Sequence, residues 1–278
     1  MEQTLGTVDS NEEVIAGVHL MWIRAPGIAA GAEPGQFITL RCDDFTLRRP
    51  FSIHRFSFAG GQESGEGAIA LLYKVMGRGT IWLSHRHTGE KVDILGPLGR
   101  GFSIPSVMTG ESKHLLLVAG GIGVAPLFFL MQCASPQHLI TLIHGASTAA
   151  QLYPFFPSPF KGEGKGEGGV QFVPVTEDGS TGRKGMATDV LPDFLDWADQ
   201  VYACGPLDMY KSMDELSGLG GQSNLKLRKC QVSLEVRMGC GFGACYGCTI
   251  NTSKGLKQVC RDGPVFELDE IIWQEVRT

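Results

Sequence analysis

The chain has 278 residues, 43% of them hydrophobic and 19% charged, with a formal net charge of −5. That length holds two or three domains with cores of their own, and the mild acidity offers nothing to nucleic acid or an anionic membrane. No apolar run approaches the length of a membrane span, and the start at Met1-Glu2-Gln3 lacks a basic n-region and an apolar h-region, so a cytoplasmic protein with reduced thiols is expected.

From Glu13 the chain alternates polar residues with Val14, Ala16, Val18, Leu20 and Trp22, the period of a half-buried strand. Ala25-Pro26-Gly27 breaks the pattern, and Pro34-Gly35 leads into a second strand over 36–40. Leu47-Arg48-Arg49-Pro50-Phe51-Ser52-Ile53-His54 follows, then Gly60-Gly61 and a glycine/glutamate turn. Residues 68–75 read as an apolar strand that ends in Met76-Gly77-Arg78-Gly79-Thr80. The Thr80 hydroxyl is a good N-cap for a short helix over 81–84. Residues 91–95 and Gly96-Pro97-Leu98-Gly99 close the segment. Short strands with regularly spaced turns predict a small antiparallel barrel.

Two places in that barrel carry chemistry. Arg49-Pro50-Phe51-Ser52 sets a guanidinium, a stiff backbone and a hydroxyl along extended chain. Arg49 can fork onto a diphosphate, and Ser52 can bond a ring beyond it. Gly79-Thr80 offers free amides at a helix start to the same diphosphate. Each motif alone is common. In this order and separation they resemble the flavin-binding barrel of the ferredoxin–NADP reductase superfamily, with its R-x-x-S and G-T motifs. The resemblance implies that Arg49 and the Gly79-Thr80 helix start hold an FAD diphosphate and that Ser52 lies near flavin N5. It also implies cofactor contacts from Pro50, Phe51 and the Leu72-Tyr73-Lys74 strand.

Residues 113–119 form a continuous apolar run, as in a buried parallel strand. The run enters Gly120-Gly121-Ile122-Gly123-Val124-Ala125-Pro126 and then an apolar helix over 127–133. Strand, glycine turn and helix in that order mark a nucleotide loop, where backbone approaches the ligand closely. The fingerprint is not G-x-G-x-x-G, because Pro126 stands at the third glycine, and no acidic residue lies at the usual distance for an adenosine ribose. G-G-x-G-x-x-P resembles the nicotinamide-binding lobe of the same superfamily. That implies an NAD(H) loop on Gly120, Gly121, Gly123 and Pro126, with an ordinary tight strand–helix turn as the competing reading.

Strands over 139–145 and 170–175 follow, separated by a Gly/Glu/Lys-rich segment at 157–169. That segment has no apolar face, so a surface insertion is expected. A helix opens at 186–191, and 200–206 read as the last core strand and its Cys204-Gly205-Pro206 turn, with a helix over 207–216 behind. In the superfamily a C-G-P turn sets the cysteine beside nicotinamide C4, so the resemblance makes Cys204 a positioning group. A buried structural cysteine is the alternative. Cys42, Cys133 and Cys230 read as small buried hydrophobes.

The last fifty residues hold the densest pattern. Cys240, Cys245, Cys248 and Cys260 are spaced C-x4-C-x2-C-x11-C. Gly241, Gly243 and Gly247 let the backbone take positive φ and curl around a compact object, turning amides toward a net-negative sulfide cluster. The first three positions match plant-type [2Fe–2S] spacing. A structural zinc is the other metal reading, although it usually wants two C-x2-C knuckles and only Cys245/Cys248 form one. Flavin, nicotinamide and one-electron sites on one chain imply a converter between hydride pairs and single electrons.

The run Gln231-Val232-Ser233-Leu234-Glu235-Val236-Arg237-Met238 before the cysteines, and residues 259–266 after them, resemble the electron-transfer subunits of the NAD-dependent dihydroorotate dehydrogenases. The likeness covers nearly the whole chain, the 157–169 segment apart. It implies a heterotetramer, two copies of each subunit, with an FMN-containing dihydroorotate dehydrogenase catalytic subunit. Electrons would run from dihydroorotate through FMN, cluster and FAD to NAD in pyrimidine biosynthesis. One alternative is an NADPH-dependent, ferredoxin-linked reductase subunit of the sulfide dehydrogenase or bifurcating transhydrogenase type. Another is a non-catalytic zinc-binding interaction module. The expected architecture is multidomain: an antiparallel FAD β-barrel over 1–104, an α/β parallel-sheet NAD lobe over 105–225 and a [2Fe–2S] module over 226–278.

Overall fold

The computed structural model describes residues 1–57, 67–106, 111–135, 137–154, 169–218, 227 and 229–276. The glycine/glutamate turn after Gly60, the 157–169 segment except Gly169, and the expected boundary at 225/226 lie outside the described residues. Strands β1 (Glu2–Ile15), β2 (Val18–Arg24), β3 (Phe37–Leu40), β4 (Arg49–Ser57), β5 (Ala68–Lys74) and β6 (Lys91–Leu98) close into a barrel in the order β1-β2-β5-β4-β3-β6. Every neighbouring pair is antiparallel, and closure leaves no free edge. Helix α1 (Pro26–Gly31) joins β2 to β3, and α2 (Arg78–Ser84) joins β5 to β6.

Two expectations are corrected here, and one strand that the sequence left unread appears. The alternation from Val14 to Trp22 is not one strand, because the chain reverses at Ala16-Gly17, where Gly17 has φ of 71°. Met21 and Ile23 then fill the barrel, while Val18 and Leu20 pack toward the second domain. β1 starts at Glu2, in a stretch too polar to read as a strand. Ladders to β2 on one edge and β6 on the other hold it, so apolar alternation is not needed. Helix α2 begins earlier than expected, with Gly77 at its N-cap. Thr80 sits inside the first turn, where its Oγ1 accepts from the amides of Met76 (2.9 Å) and Gly77 (3.1 Å).

The second half forms a sheet from β7 (His114–Gly120), β8 (Leu139–Ala146), β9 (Val170–Thr176), β10 (Arg183–Lys184), β11 (Gln200–Cys204) and β12 (Gln231–Ser233). These strands are parallel. Helices α3 (Val124–Ala134), α4 (Ala187–Val190), α5 (Pro192–Leu195) and α6 (Leu207–Gly218) connect them. The helix expected over 186–191 is one turn followed by another, because Pro192 starts a new turn at Leu191. Pro126 stays within the first turn of α3, where its missing N–H has no intrahelical acceptor to lose.

The cysteine-bearing end is built into this sheet. A hairpin of β13 (Thr249–Thr252) and β14 (Gly255–Gln258) runs into the short helix α7 (Val259–Asp262) and then β15 (Val265–Glu267). β15 pairs antiparallel with β12 and completes the order β10-β9-β8-β7-β11-β12-β15. Cys260, Leu268 and Trp273 share a core with Val118, Val201 and Val232, and the Trp273 ring stacks 5.1 Å from Tyr210. No helix among the described residues is long and apolar enough to cross a membrane.

Asn11 ties the barrel wall to α2. Its amide donates to the carbonyls of Leu83 (3.0 Å), Ser84 (3.2 Å) and Arg86 (3.0 Å), and its oxygen accepts from the Tyr73 hydroxyl (3.0 Å). Asn11→Ala strands a buried phenol and is expected to lower stability by about 1–3 kcal/mol. Urea unfolding reads this directly, and an unmoved midpoint would contradict it.

Candidate functional site

The two barrel motifs come together. Arg49 opens β4, with Leu40 opposite it on β3, and its Nη1 donates to the Leu47 carbonyl (2.7 Å). Its guanidinium and that of Arg78 both lie over the Phe45 ring, at 5.6 Å and 4.8 Å. Gly79 is buried against it, since a β-carbon there would stand 3.2 Å from Arg49 Nε. The missing side chain is what allows the guanidinium stem to lie across the helix start. Ser52 pairs with Phe37 and Pro50 with Thr39 across the β3–β4 ladder. The Phe51 ring meets Tyr73 edge-on at 5.7 Å.

The strand at 72–74 divides by the two-residue period of β structure. Tyr73 points into the barrel core. Leu72 and Lys74 line a cleft of about 590 Å³ between the barrel and the second domain. Gly120, Gly121 and Gly123 line the same cleft, with Gly205, Pro206, Glu177 and Glu235. Pro126 is buried behind the loop. The cleft opens at the carboxyl ends of parallel strands, where ligands enter sheets of this type.

Close backbone contact shapes that opening. A β-carbon on Gly123 would run into the Cys204 carbonyl and the Gly205 amide, and one on Gly120 would meet Pro206 Cδ at 2.6 Å. Gly121, at φ of 52°, faces open space. His144 Nε2 stands 3.0 Å from the Gly121 carbonyl and holds it from below. Cys204 is 1% exposed and lies beneath the cleft floor. Burial raises its thiol pKa far above the ordinary value, helped by the Glu235 charge and opposed by Tyr210 and Ser233.

Glu235 and Glu177 are the cleft groups that motif reading missed. Desolvation by the cleft walls raises the Glu235 pKa although the residue itself stays exposed, and Ser147 Oγ donates to Glu177 Oε1 at 2.8 Å. Glu235 stands in the lead-in to the cysteines, but only its place after a core strand could have marked it. Glu177 follows β9 directly, and an acidic residue at a strand's carboxyl end was the available sign.

The four cysteines sort into two pairs. Cys240 N donates to Cys245 Sγ (3.4 Å), and Cys260 N donates to Cys248 Sγ (3.4 Å). Ala244 N reaches Cys240 Sγ (3.2 Å), and Gly247 N reaches Cys245 Sγ (3.4 Å). Two pairs of sulfurs, each met by backbone amides, are a donor set that a two-iron centre can take.

The curl rests on positive φ at Gly241, Gly243 and Tyr246, not at Gly247, whose role is to donate its amide. Burial pushes the Cys260 thiol up to about 12, reinforced by Cys248 and Cys240 and opposed by the Gly243 amide. At Cys240, burial is outweighed by amides of Phe242, Cys245 and Ala244 and by the Cys245 thiol, which bring it down to about 6. Holding all four as thiolates would require cationic charge among them. A β-carbon on Gly241 would stand 2.6 Å from Thr39 Cγ2, so the cysteine loop is seated on β3 of the barrel. Thr39 Oγ1 is buried there without a partner.

A family model described as the iron-sulfur cluster binding domain of dihydroorotate dehydrogenase B matches residues 235–272. The dihydroorotate dehydrogenase B (NAD(+)) electron transfer subunit of Caldanaerobacter subterraneus subsp. tengcongensis is 37% identical, over 95% of this chain and 96% of that one. The chain belongs to that family. Members from Desulforamulus reducens (36% identical, covering 94% and 95% of the two chains) and a Geobacillus species (34%, covering 98% and 99%) are similar over the same extent. Among solved structures, an NADH-dependent reduced ferredoxin–NADP oxidoreductase studied for flavin-based electron bifurcation superposes with a TM-score of 0.78 at 27% identity, covering 98% of this chain and 91% of that one. A ferredoxin NADP+ reductase from Neisseria gonorrhoeae, with bound FAD and NADP, shares the fold at a TM-score of 0.59 and 16% identity, covering 81% of this chain and 96% of that one.

Because Gly123 abuts backbone atoms that cannot swing aside, Gly123→Ala is expected to destabilise the chain by about 1–3 kcal/mol through overpacking. Thermal unfolding of the purified variant measures it; a wild-type midpoint would show that the loop and the Cys204-Gly205 turn are not in contact.

Proposed function

We propose that this chain carries electrons between a partner catalytic subunit and NAD(H), with a [2Fe–2S] centre on Cys240, Cys245, Cys248 and Cys260 and FAD on the barrel. The seat of the cysteine loop supports this reading most directly. Gly241 rests on Thr39, and Thr39 pairs with Pro50 in the strand that also bears Arg49 and Ser52. The loop therefore sits on the strand next to the one assigned to flavin contacts, and neighbouring strands lie roughly 4.8 Å apart.

Arg49 would grip the FAD diphosphate as a fork, Gly79 and Thr80 would border it, and Ser52 would face the ring, with Pro50, Phe51, Leu72 and Lys74 nearby. Gly120, Gly121 and Gly123 would bring backbone against the nicotinamide nucleotide in the cleft. Bound flavin supplies exchange of electrons either singly or as hydride pairs. The chain's own residues bind, orient and exclude water, and buried neutral Cys204 contributes shape beneath the floor without acting as a nucleophile. Cys245 is exposed, with Phe242 (49% exposed) and Tyr246 (68% exposed) beside it, whereas Cys248 and Cys260 are buried. That asymmetry gives the centre one outward side for exchange with a partner.

The family's designation as an electron transfer subunit implies a catalytic partner. We take that partner to be an FMN-containing dihydroorotate dehydrogenase subunit in a cytoplasmic heterotetramer that serves pyrimidine biosynthesis. The deciding experiment is co-purification with a candidate FMN subunit, followed by an assay for dihydroorotate-dependent NAD reduction. Absence of that activity beside ferredoxin-linked nicotinamide reduction would favour a bifurcating-type reductase subunit, a second reading supported by the likeness to the ferredoxin–NADP oxidoreductase.

Cys245→Ser is expected to lose the cluster and keep FAD. Iron and sulfide content, read beside flavin absorbance, tests the ligand set, and a full complement of iron in the variant would refute it.

A further inference from the structure

His54 and Arg55 follow Ser52 and Ile53 on β4, where the pairing with β5 slips in register. His54 is fully buried. Its Nδ1 lies 2.9 Å from the Ala125 carbonyl in the first turn of α3, and its Nε2 lies 3.2 Å from the Tyr153 hydroxyl. Arg55 Nη2 donates to that same hydroxyl (3.2 Å), and its guanidinium sits 4.0 Å from the Phe128 ring centre. One residue on, the Gln132 side chain bonds both backbone groups of Phe56. The strand that bears Ser52 is therefore tied to the helix that continues the glycine loop.

Donor and acceptor rules set the direction of each bond. The Ala125 carbonyl only accepts, so Nδ1 of His54 carries a proton. Arg55 only donates, so the Tyr153 oxygen accepts from it, and the single phenolic proton goes to His54 Nε2. The relay Arg55 to Tyr153 to His54 to Ala125 runs one way, and a neutral Nδ1–H imidazole completes it. Burial, with the Arg55 charge beside it, pushes the His54 pKa down to about 3 and keeps the ring in that form. Tyr153 also lines the cleft that Gly121 and Lys74 line.

We propose that His54, Arg55 and Tyr153 are positioning residues for hydride transfer, a relay that locks the glycine-loop helix onto the flavin strand and so sets the spacing of the two rings. The inference rests on the reading of FAD on the barrel and NAD(H) in the cleft. The step moves one hydride: the nicotinamide C4–H bond breaks, a flavin N5–H bond forms, and NADH leaves as NAD+, all reversibly. None of the three residues exchanges a proton in it. Misplacement of the rings by a fraction of an ångström is where its loss would be felt.

Two measurements test the relay on the FAD-loaded full chain. Nitrogen-15 NMR of labelled histidine should place His54 in the neutral Nδ1–H tautomer, and an Nε2–H ring would overturn the relay. Tyr153→Phe and His54→Asn cut the same bond from opposite ends, and each should slow single-turnover flavin reduction by NADH about 10- to 100-fold. FAD content should change little, and the loss should persist at saturating NADH. Because one bond is cut twice, the double variant should be no slower than the slower single variant. Wild-type reduction rates in both single variants, or fully additive losses, would overturn the positioning role while leaving the electron-transfer reading intact. A wild-type chain that NADH does not reduce would overturn that reading and this role together, whatever the tautomer.

Discussion

The modules of this chain meet where no β-carbon fits. Within the nucleotide sheet Gly120 and Gly123 lie against the Cys204-Gly205-Pro206 turn, and between modules Gly241 lies against Thr39 of the barrel. A side chain on Gly35 would collide with Phe102 and Val265, and one on Gly99 with the Gly263 carbonyl and Phe37. The Arg100 amide reaches that same Gly263 carbonyl at 2.5 Å. Several joints between barrel, sheet and cysteine loop thus depend on a missing β-carbon, beside the side-chain ties of His54, Tyr153 and Gln132. Redox groups must be held close to exchange electrons, and backbone contact is the shortest spacer a protein has. Adding a methyl at any of these joints would either move a module or strain its neighbour.

That constraint explains much of what the sequence disclosed and what it hid. The cysteine spacing, the R-P-F-S string and the G-G-x-G-x-x-P loop are local patterns, and each stands on the element expected of it. The seating of Gly241 on Thr39 joins residues two hundred positions apart, and no local period encodes it. β1 was illegible for a related reason. Its polar residues are held by ladders on both edges, so they need not alternate with apolar ones. The Leu72-Tyr73-Lys74 strand was legible as a unit but not by face, and Tyr73 turns into the barrel while its neighbours border the cleft. Glu235 and Glu177 are single acidic residues whose meaning comes only from the strand ends they occupy.

The sheet adds a mechanical reason for the order of sites along the chain. β12 leads directly into the cysteine loop, and β15 returns from it to pair with β12. The loop therefore leaves and re-enters the nucleotide sheet on adjacent strands. Its base is fixed by the core that buries Trp273 and Leu268, while its tip reaches across to β3. One rigid sheet thus positions both the glycine loop, at the end of β7, and the cysteines, at the end of β12.

Sulfur chemistry follows from the same geometry. Cys204 and Cys240 have the same side chain in opposite settings. Cys204 is enclosed under the cleft floor, where the cost of burying a charge keeps the thiol protonated. Cys240 sits in a loop whose amides point at sulfur, so its thiolate is favoured despite partial burial. The difference is made by backbone shape, through positive φ at Gly241, Gly243 and Tyr246, and not by any basic side chain. A centre held this way draws its electrostatic support from fixed backbone dipoles together with its neighbouring thiols.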